Sequence, residues 1–158
     1  MKALIRYVLI AALTWSLVSA KAQQVGGIKW ISFEQLNDSL EANPKPVFID
    51  FYTSWCTYCK KMDKKVFTNP KVIEKLNDEY YALKFDAETK DTVRFDGGLF
   101  INDQVGKTRT PFHQVAQLLA MRQEVFTPPT MVILDTQFQV EQRIFTYLSS
   151  KQLLYYLE

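Results

Sequence analysis

Apolar residues first repeat at helical spacing just after Ser32. Phe33, Leu36 and Leu40 share one face, Ser32 with Gln35 has the form of a capping box, and Asn43-Pro44 ends the run, which predicts a helix over 33–42. Residues 46–52 (PVFIDFY) are almost continuously apolar and rich in β-formers, the pattern of a strand covered on both faces, interrupted by Asp50. Past residue 59 a second helix places Met62, Val66 and Phe67 inward, and Asn69-Pro70 restarts a third through Val72, Ile73 and Leu76. Residues 80–86 (YYALKFD) alternate like a strand, and 130–134 (TMVIL) form a short buried one. Asp135-Thr136 turns the chain, 140–145 returns as a strand, and Ser149 begins a last helix carrying Leu153, Leu154 and Leu157. The connection from 89 to 127 is unusually long; it predicts a hairpin from Val93 to Ile101 around Gly97-Gly98 and a helix from Phe112 to about Met121. This order of elements is that of an α/β or α+β sandwich built on one mixed sheet.

Composition changes this picture mainly at the N-terminus. Residues 1–22 carry Lys2 and Arg6, then an apolar run from Tyr7 through Val18, then Ala20 and Ala22, the layout of a cleaved secretory signal. Cleavage after Ala22 leaves one domain over 23–158 and removes three basic residues and no acid, so the formal +2 becomes −1. The apparent basicity belongs to the leader, and a nucleic-acid partner loses its electrostatic footprint. The apolar run is broken by Thr14, Ser16 and Ser19, and the mature chain is expected not to span a membrane. No repeat or low-complexity tract appears, and 158 residues with 47% hydrophobic content suffice for one core but not for two.

Both cysteines lie in the mature chain, as Cys56-Thr57-Tyr58-Cys59, between a buried strand and the start of a helix. A helix N-terminus offers unpaired N–H groups and a positive dipole end, which stabilise a thiolate at Cys56. Cys59, one turn later, is placed to attack a mixed disulfide formed on Cys56. A zinc site would need ligands that two cysteines and one histidine do not supply, and a purely structural disulfide over so short a loop constrains the unfolded chain little. Asp50, six residues before Cys56, fits two arrangements: a buried carboxyl of raised pKa that takes the Cys59 proton, or a carboxylate at a strand end. Thr127-Pro128-Pro129-Thr130 likewise fits either a cis X-Pro bond beside the site or an ordinary trans turn. His113, the only histidine, reads as a surface or capping residue, and Glu88, Asp91, Asp96 and Asp103 lack the spacing of a calcium loop, so neither metal nor cofactor is expected.

Residues 50–60 (DFYTSWCTYCK), then Lys84-Phe85-Asp86, then Pro128-Pro129-Thr130 resemble the thioredoxin superfamily in order and spacing over most of 44–145. Within it they look most like secreted thioredoxin-fold proteins and the C-terminal domain of DsbD-type transmembrane reductant conductors. The resemblance implies a three-layer α/β sandwich, a central mixed sheet flanked by helices, with the 89–127 insertion preceding a cis-proline strand. It makes Cys56 the attacking thiol, Cys59 the resolving thiol and Trp55 the flanking surface aromatic. It puts the buried acid at Asp50, its neighbouring lysine at Lys84 and the cis-proline at Pro129. Tyr58 is expected either to stack on a partner or to shield the disulfide.

The expected activity is that of an exported, periplasmic or otherwise extracytoplasmic thiol-disulfide oxidoreductase. Its partners would be disulfide-containing or dithiol exported proteins, and a membrane thiol reductant would be its electron donor. Thr57-Tyr58 departs from the Gly-Pro of cytosolic thioredoxins and the Pro-His of strongly oxidising periplasmic ones, which leaves the direction of electron flow open between a reductase or isomerase and an oxidant. A fold that only binds or assembles clients is the alternative from another class.

Overall fold

The computed structural model describes residues 26–158; the export signal read from 1–22 lies outside them. In chain order the elements are β1 (Trp30–Ile31), α1 (Phe33–Ala42), β2 (Val47–Tyr52), α2 (Thr57–Lys65), α3 (Pro70–Glu79), β3 (Tyr81–Asp86), β4 (Val93–Phe95), β5 (Gly98–Phe100), α4 (Gln114–Leu119), β6 (Met121–Arg122), β7 (Val125–Phe126), β8 (Thr130–Leu134), β9 (Val140–Ile144) and α5 (Ser150–Tyr156). The helix starts follow the expected chemistry. Ser32 with Gln35 and Ser149 with Gln152 each form a reciprocal capping box, and Asn69 caps a helix whose first residue is Pro70.

Five strands form one mixed sheet in the order β1-β3-β2-β8-β9. The first three run parallel, and β8 and β9 are antiparallel to their neighbours. The period of two along a strand sorts the core into two layers. Phe48 on β2, Ala82 on β3 and Met131 and Ile133 on β8 pack under α2, α3 and α5, against Met62, Val72, Leu76 and Leu153. Val47, Ile49 and Phe51, with Leu83, Phe85, Val132 and Leu134, pack on the opposite face against α1 and residues of the 89–127 segment. Covering on both faces explains why β2 and β8 are so apolar. Asp50 is the exception, and its place in the alternation turns it toward the face covered by α2.

The 89–127 segment is part of this second layer. Val93, Val115, Ala116, Ala120 and Phe126 lie in that core. The turn of the β4-β5 hairpin is one residue earlier than expected: Phe95 pairs with Gly98, leaving Asp96 and Gly97, both at positive φ, as the turn pair. Aspartate and glycine tolerate that left-handed backbone, whereas Gly98 belongs to the strand. The helix expected over 112–121 is shorter at both ends because His113 is its cap and Met121 pairs with Phe126 in a second hairpin. His113 does cap, as expected of one of its two readings, but it is not on the surface: it is 0% exposed. Its Nδ1 accepts from the Val115 N–H while Nε2 lies 3.1 Å from the carbonyl oxygens of both Asp91 and Phe100. Only a neutral ring protonated at Nε2 satisfies all three contacts.

Candidate functional site

The C-terminal ends of β2 and β3 meet the start of β8 at one rim of the sheet, because Tyr52 pairs with Asp86 and Phe51 with Thr130. The chain leaves β2 at this rim, turns through Thr53, whose carbonyl accepts from the Cys56 N–H at 3.2 Å, and enters α2. Cys56 is the N-cap of that helix, and its Sγ accepts from the Cys59 N–H at 3.0 Å. Cys56 and Cys59 are joined in a disulfide and both are buried. When the bond is reduced, the same N–H and the helix dipole favour negative charge on Cys56, whereas Cys59 lies within the first turn and faces the core. Thiolate charge in the reduced pair is therefore favoured on Cys56 over Cys59.

Asp50, two residues before the end of β2, is 1% exposed, and neither of its carboxylate oxygens has a hydrogen-bond partner. Its parallel-strand register partner is Lys84, whose Nζ lies 3.4 Å from Asp50 Oδ2. Lys84 gives its hydrogen bond instead to Asp63 of α2, and its ammonium is bordered by the rings of Tyr52, Phe67 and Trp30 at 5.0, 5.3 and 5.7 Å. Burial pushes the Asp50 carboxyl up to about 6; the Lys84 charge opposes that rise and Asp63 adds to it. Of the two arrangements open for Asp50, the buried carboxyl is the one found.

Trp55 is 52% exposed at the rim, and its indole N–H points between both carboxylate oxygens of Glu88, at 3.1 and 3.0 Å. Tyr58 is also exposed and leans on Tyr147, with ring centroids 6.0 Å apart, and the Lys61 ammonium covers the Tyr147 ring. The Pro128-Pro129 bond is cis, and Pro129 is buried just before the β8 residue that pairs with Phe51. Trp55, Cys56, Tyr58, Cys59 and Pro129 thus adjoin the strand ends at this rim, and Asp50 and Lys84 lie two residues back along β2 and β3.

Two residues of this rim escape a reading of the sequence. Asp63 stands among Lys60, Lys61, Lys64 and Lys65, a pattern indistinguishable from a solvated helix face; the one available signal is that it follows Met62, which is buried. Glu88 is 33 residues from Trp55, and only the parallel pairing of β2 with β3 makes them neighbours. Among the described residues no helix is long and apolar enough to cross a membrane.

A family model for the thioredoxin-like domain matches residues 33–158. The chain is 28% identical over 127 residues to the thiol:disulfide interchange protein DsbD of Campylobacter jejuni (strain RM1221), a match that covers 80% of this chain and 18% of that protein. It therefore spans less than a fifth of that relative's length. In fold it is similar to a thioredoxin from Thermus thermophilus, with a TM-score of 0.58 and 19% identity over 84% of this chain and 85% of that one. It is also similar to the C-terminal domain of Neisseria meningitidis DsbD in the reduced form, with a TM-score of 0.52 and 15% identity over 78% and 89% of the two chains.

Proposed function

The chain belongs to the thioredoxin-like family, and from that premise we propose that it is an exported thiol-disulfide oxidoreductase which reduces or isomerises protein disulfides through a Cys56/Cys59 dithiol-disulfide cycle. The observation that carries this reading is the Cys56 sulfur at the N-cap of α2, bonded to Cys59 and accepting its N–H.

In the cycle the Cys56 thiolate attacks one sulfur of a client disulfide. The client S–S bond breaks, its second sulfur leaves as a thiolate, and a mixed disulfide remains on Cys56. Cys59 then loses its proton and attacks the Cys56 sulfur, which releases the client's first sulfur as a thiolate and forms the Cys56–Cys59 disulfide. Two electrons pass to the client. Asp50 is the group suited to take the Cys59 proton, since a carboxyl with a pKa near 6 is a competent base near neutral pH. Lys84 and Asp63 continue from Asp50 toward solvent, Asp63 being 41% exposed at its side chain. Trp55, Tyr58 and Pro129 form the rim against which the client segment lies. A membrane thiol reductant restores the dithiol, and the leader over 1–22 supports placing the cycle outside the cytoplasm.

Turbidimetric reduction of insulin by the purified chain with dithiothreitol tests the cycle. Cys56→Ser is expected to abolish acceleration over dithiothreitol alone, and Cys59→Ser to accumulate a mixed disulfide visible on a non-reducing gel. Full activity of Cys56→Ser overturns the proposal.

A further inference from the structure

Beside Trp55, the chain neighbour of Cys56, residues from 88–90 and 109–111 line an open cleft of about 670 Å³. Trp55, Glu88, Lys90, Arg109, Thr110 and Pro111 line it. The loop that carries Arg109 is fixed from several sides. The Asn102 side-chain amide donates to the carbonyls of Thr89 and Pro111, the Phe112 N–H donates to Gln104 Oε1, and the His113 N–H donates to the Ala87 carbonyl. Asn102 and His113 are buried. The loop is therefore tied to the segment leaving β3, and Arg109 is held on the same side of the rim as Lys90.

The charges in the cleft are unequal. Lys90 and Arg109 are exposed, and among the described residues neither is within ion-pair distance of a carboxylate. Glu88 is the only acid in the lining, and both its oxygens are turned to the Trp55 indole. Asp91 and Asp103, which flank the cleft in sequence, accept from Thr89 and Gln117 and do not line it. The lining therefore sets two cations without ion-pair partners against one acid, whose charge the neutral indole does not cancel, on an aromatic face next to Cys56 in the chain. Two cations of the same sign on a fixed wall favour a carboxylate and penalise a cation in whatever passes between them.

We propose that this cleft is a specificity subsite for an acidic side chain flanking the reactive cysteine of the client polypeptide. The proposal rests on the reading of Cys56–Cys59 as the redox centre. A client segment with its sulfur at Cys56 and its backbone against Trp55 extends into the cleft, where its carboxylate meets Lys90 and Arg109.

The test uses two disulfide-linked peptides, identical except for Glu or Lys at the residues flanking the cysteine, and follows oxidation of the reduced chain by stopped-flow tryptophan fluorescence. The reading is the ratio of the two second-order rate constants, in which any general loss of reactivity cancels. Exposed charge pairs predict a ratio of about 10 in favour of the Glu peptide at low salt, falling toward 1 at high salt as screening shortens their reach. The double variant K90E/R109E is expected to bring the ratio below 1, and K90Q/R109Q to bring it near 1. A ratio near 1 for the unaltered chain overturns the subsite, and so does a ratio that both variants leave unchanged, which would assign the preference to the lysines of α2. If the unaltered chain reacts with neither peptide nor with oxidised glutathione, the redox reading itself falls, and the subsite with it.

Discussion

Asp50 and Lys84 stand at the same register level of adjacent parallel strands with their charged groups 3.4 Å apart, yet the lysine gives its hydrogen bond to Asp63. The Lys84 ammonium offsets only part of the desolvation of this buried carboxylate, too little to keep its pKa at the usual value. A buried carboxyl that titrates near 6 is the consequence.

This arrangement costs stability, with a definite sign. The Asp50 pKa is raised from 3.8 to about 6 on folding, so between those values the folded chain binds more protons than the unfolded one and loses stability as pH rises. Asp50→Asn is expected to raise the urea-unfolding free energy at pH 7.5 by about 3 kcal/mol and to match the unaltered chain below pH 4. The same variant should slow release of mixed disulfides. Equal stability of the two chains at pH 7.5 would show that the carboxyl is not held at a cost.

Asp63 is expected to set how far that pKa rises. Its charge adds directly to the rise. In Asp63→Asn that charge is gone, so the Asp50 carboxyl should titrate lower, as read from its side-chain carbon shift by NMR. Lys84→Met should move it the other way. An unchanged titration in Asp63→Asn would mean that the Asp63 charge does not reach the carboxyl.

Much of the fold could be read from the sequence because its signals are local. Ser32 with Gln35 caps where its spacing says, the last helix starts at Ser149 as read, and the apolar runs at 47–52 and 130–134 are the central strands. The features that escaped depend on residues distant in the chain. β1 is two residues long and exists only through its pairing with Ala82 and Leu83. The burial of His113 depends on carbonyls from Asp91 and Phe100, and the β6-β7 hairpin turns through Gln123 and Glu124, which carry no glycine signal for their positive φ. The site divides in the same way. Cys56 and Cys59 declare themselves by spacing, whereas Asp63 and Glu88 acquire partners only once the sheet is assembled.

His113 is expected to give the 89–127 segment a pH dependence opposite to that of Asp50. Burial holds its pKa below the usual value, outweighing the two carbonyl contacts and the charges of Asp103 and Asp91. Its contribution is therefore fully present above pH 6.5 and is lost as pH falls, since protonation puts a second N–H against that of Val115. Amide exchange separates the two effects. On acidification from pH 7 to 5, protection at Val115 and Ala116 should fall relative to Val132 in the central sheet, and His113→Asn should flatten that dependence. Parallel loss of protection at Val132 would argue against a local response.

The direction of electron flow follows from how strongly the reduced pair is stabilised. A strong oxidant owes its potential to a thiolate held far below its ordinary pKa. Here Cys56 receives one N–H from Cys59 and the dipole of a nine-residue helix. Neither intervening residue, Thr57 or Tyr58, is a basic side chain, and Lys60 and Lys61 are exposed, where water screens them. This is moderate support for a thiolate, so the equilibrium potential of residues 23–158 in a glutathione buffer is expected nearer the thioredoxin end, about −270 mV, than the oxidising end, about −120 mV. A value near the first requires an upstream donor and fits a membrane reductant. A value near the second would reverse the direction proposed above, and the partner to seek would then be an oxidase of the Cys56/Cys59 dithiol.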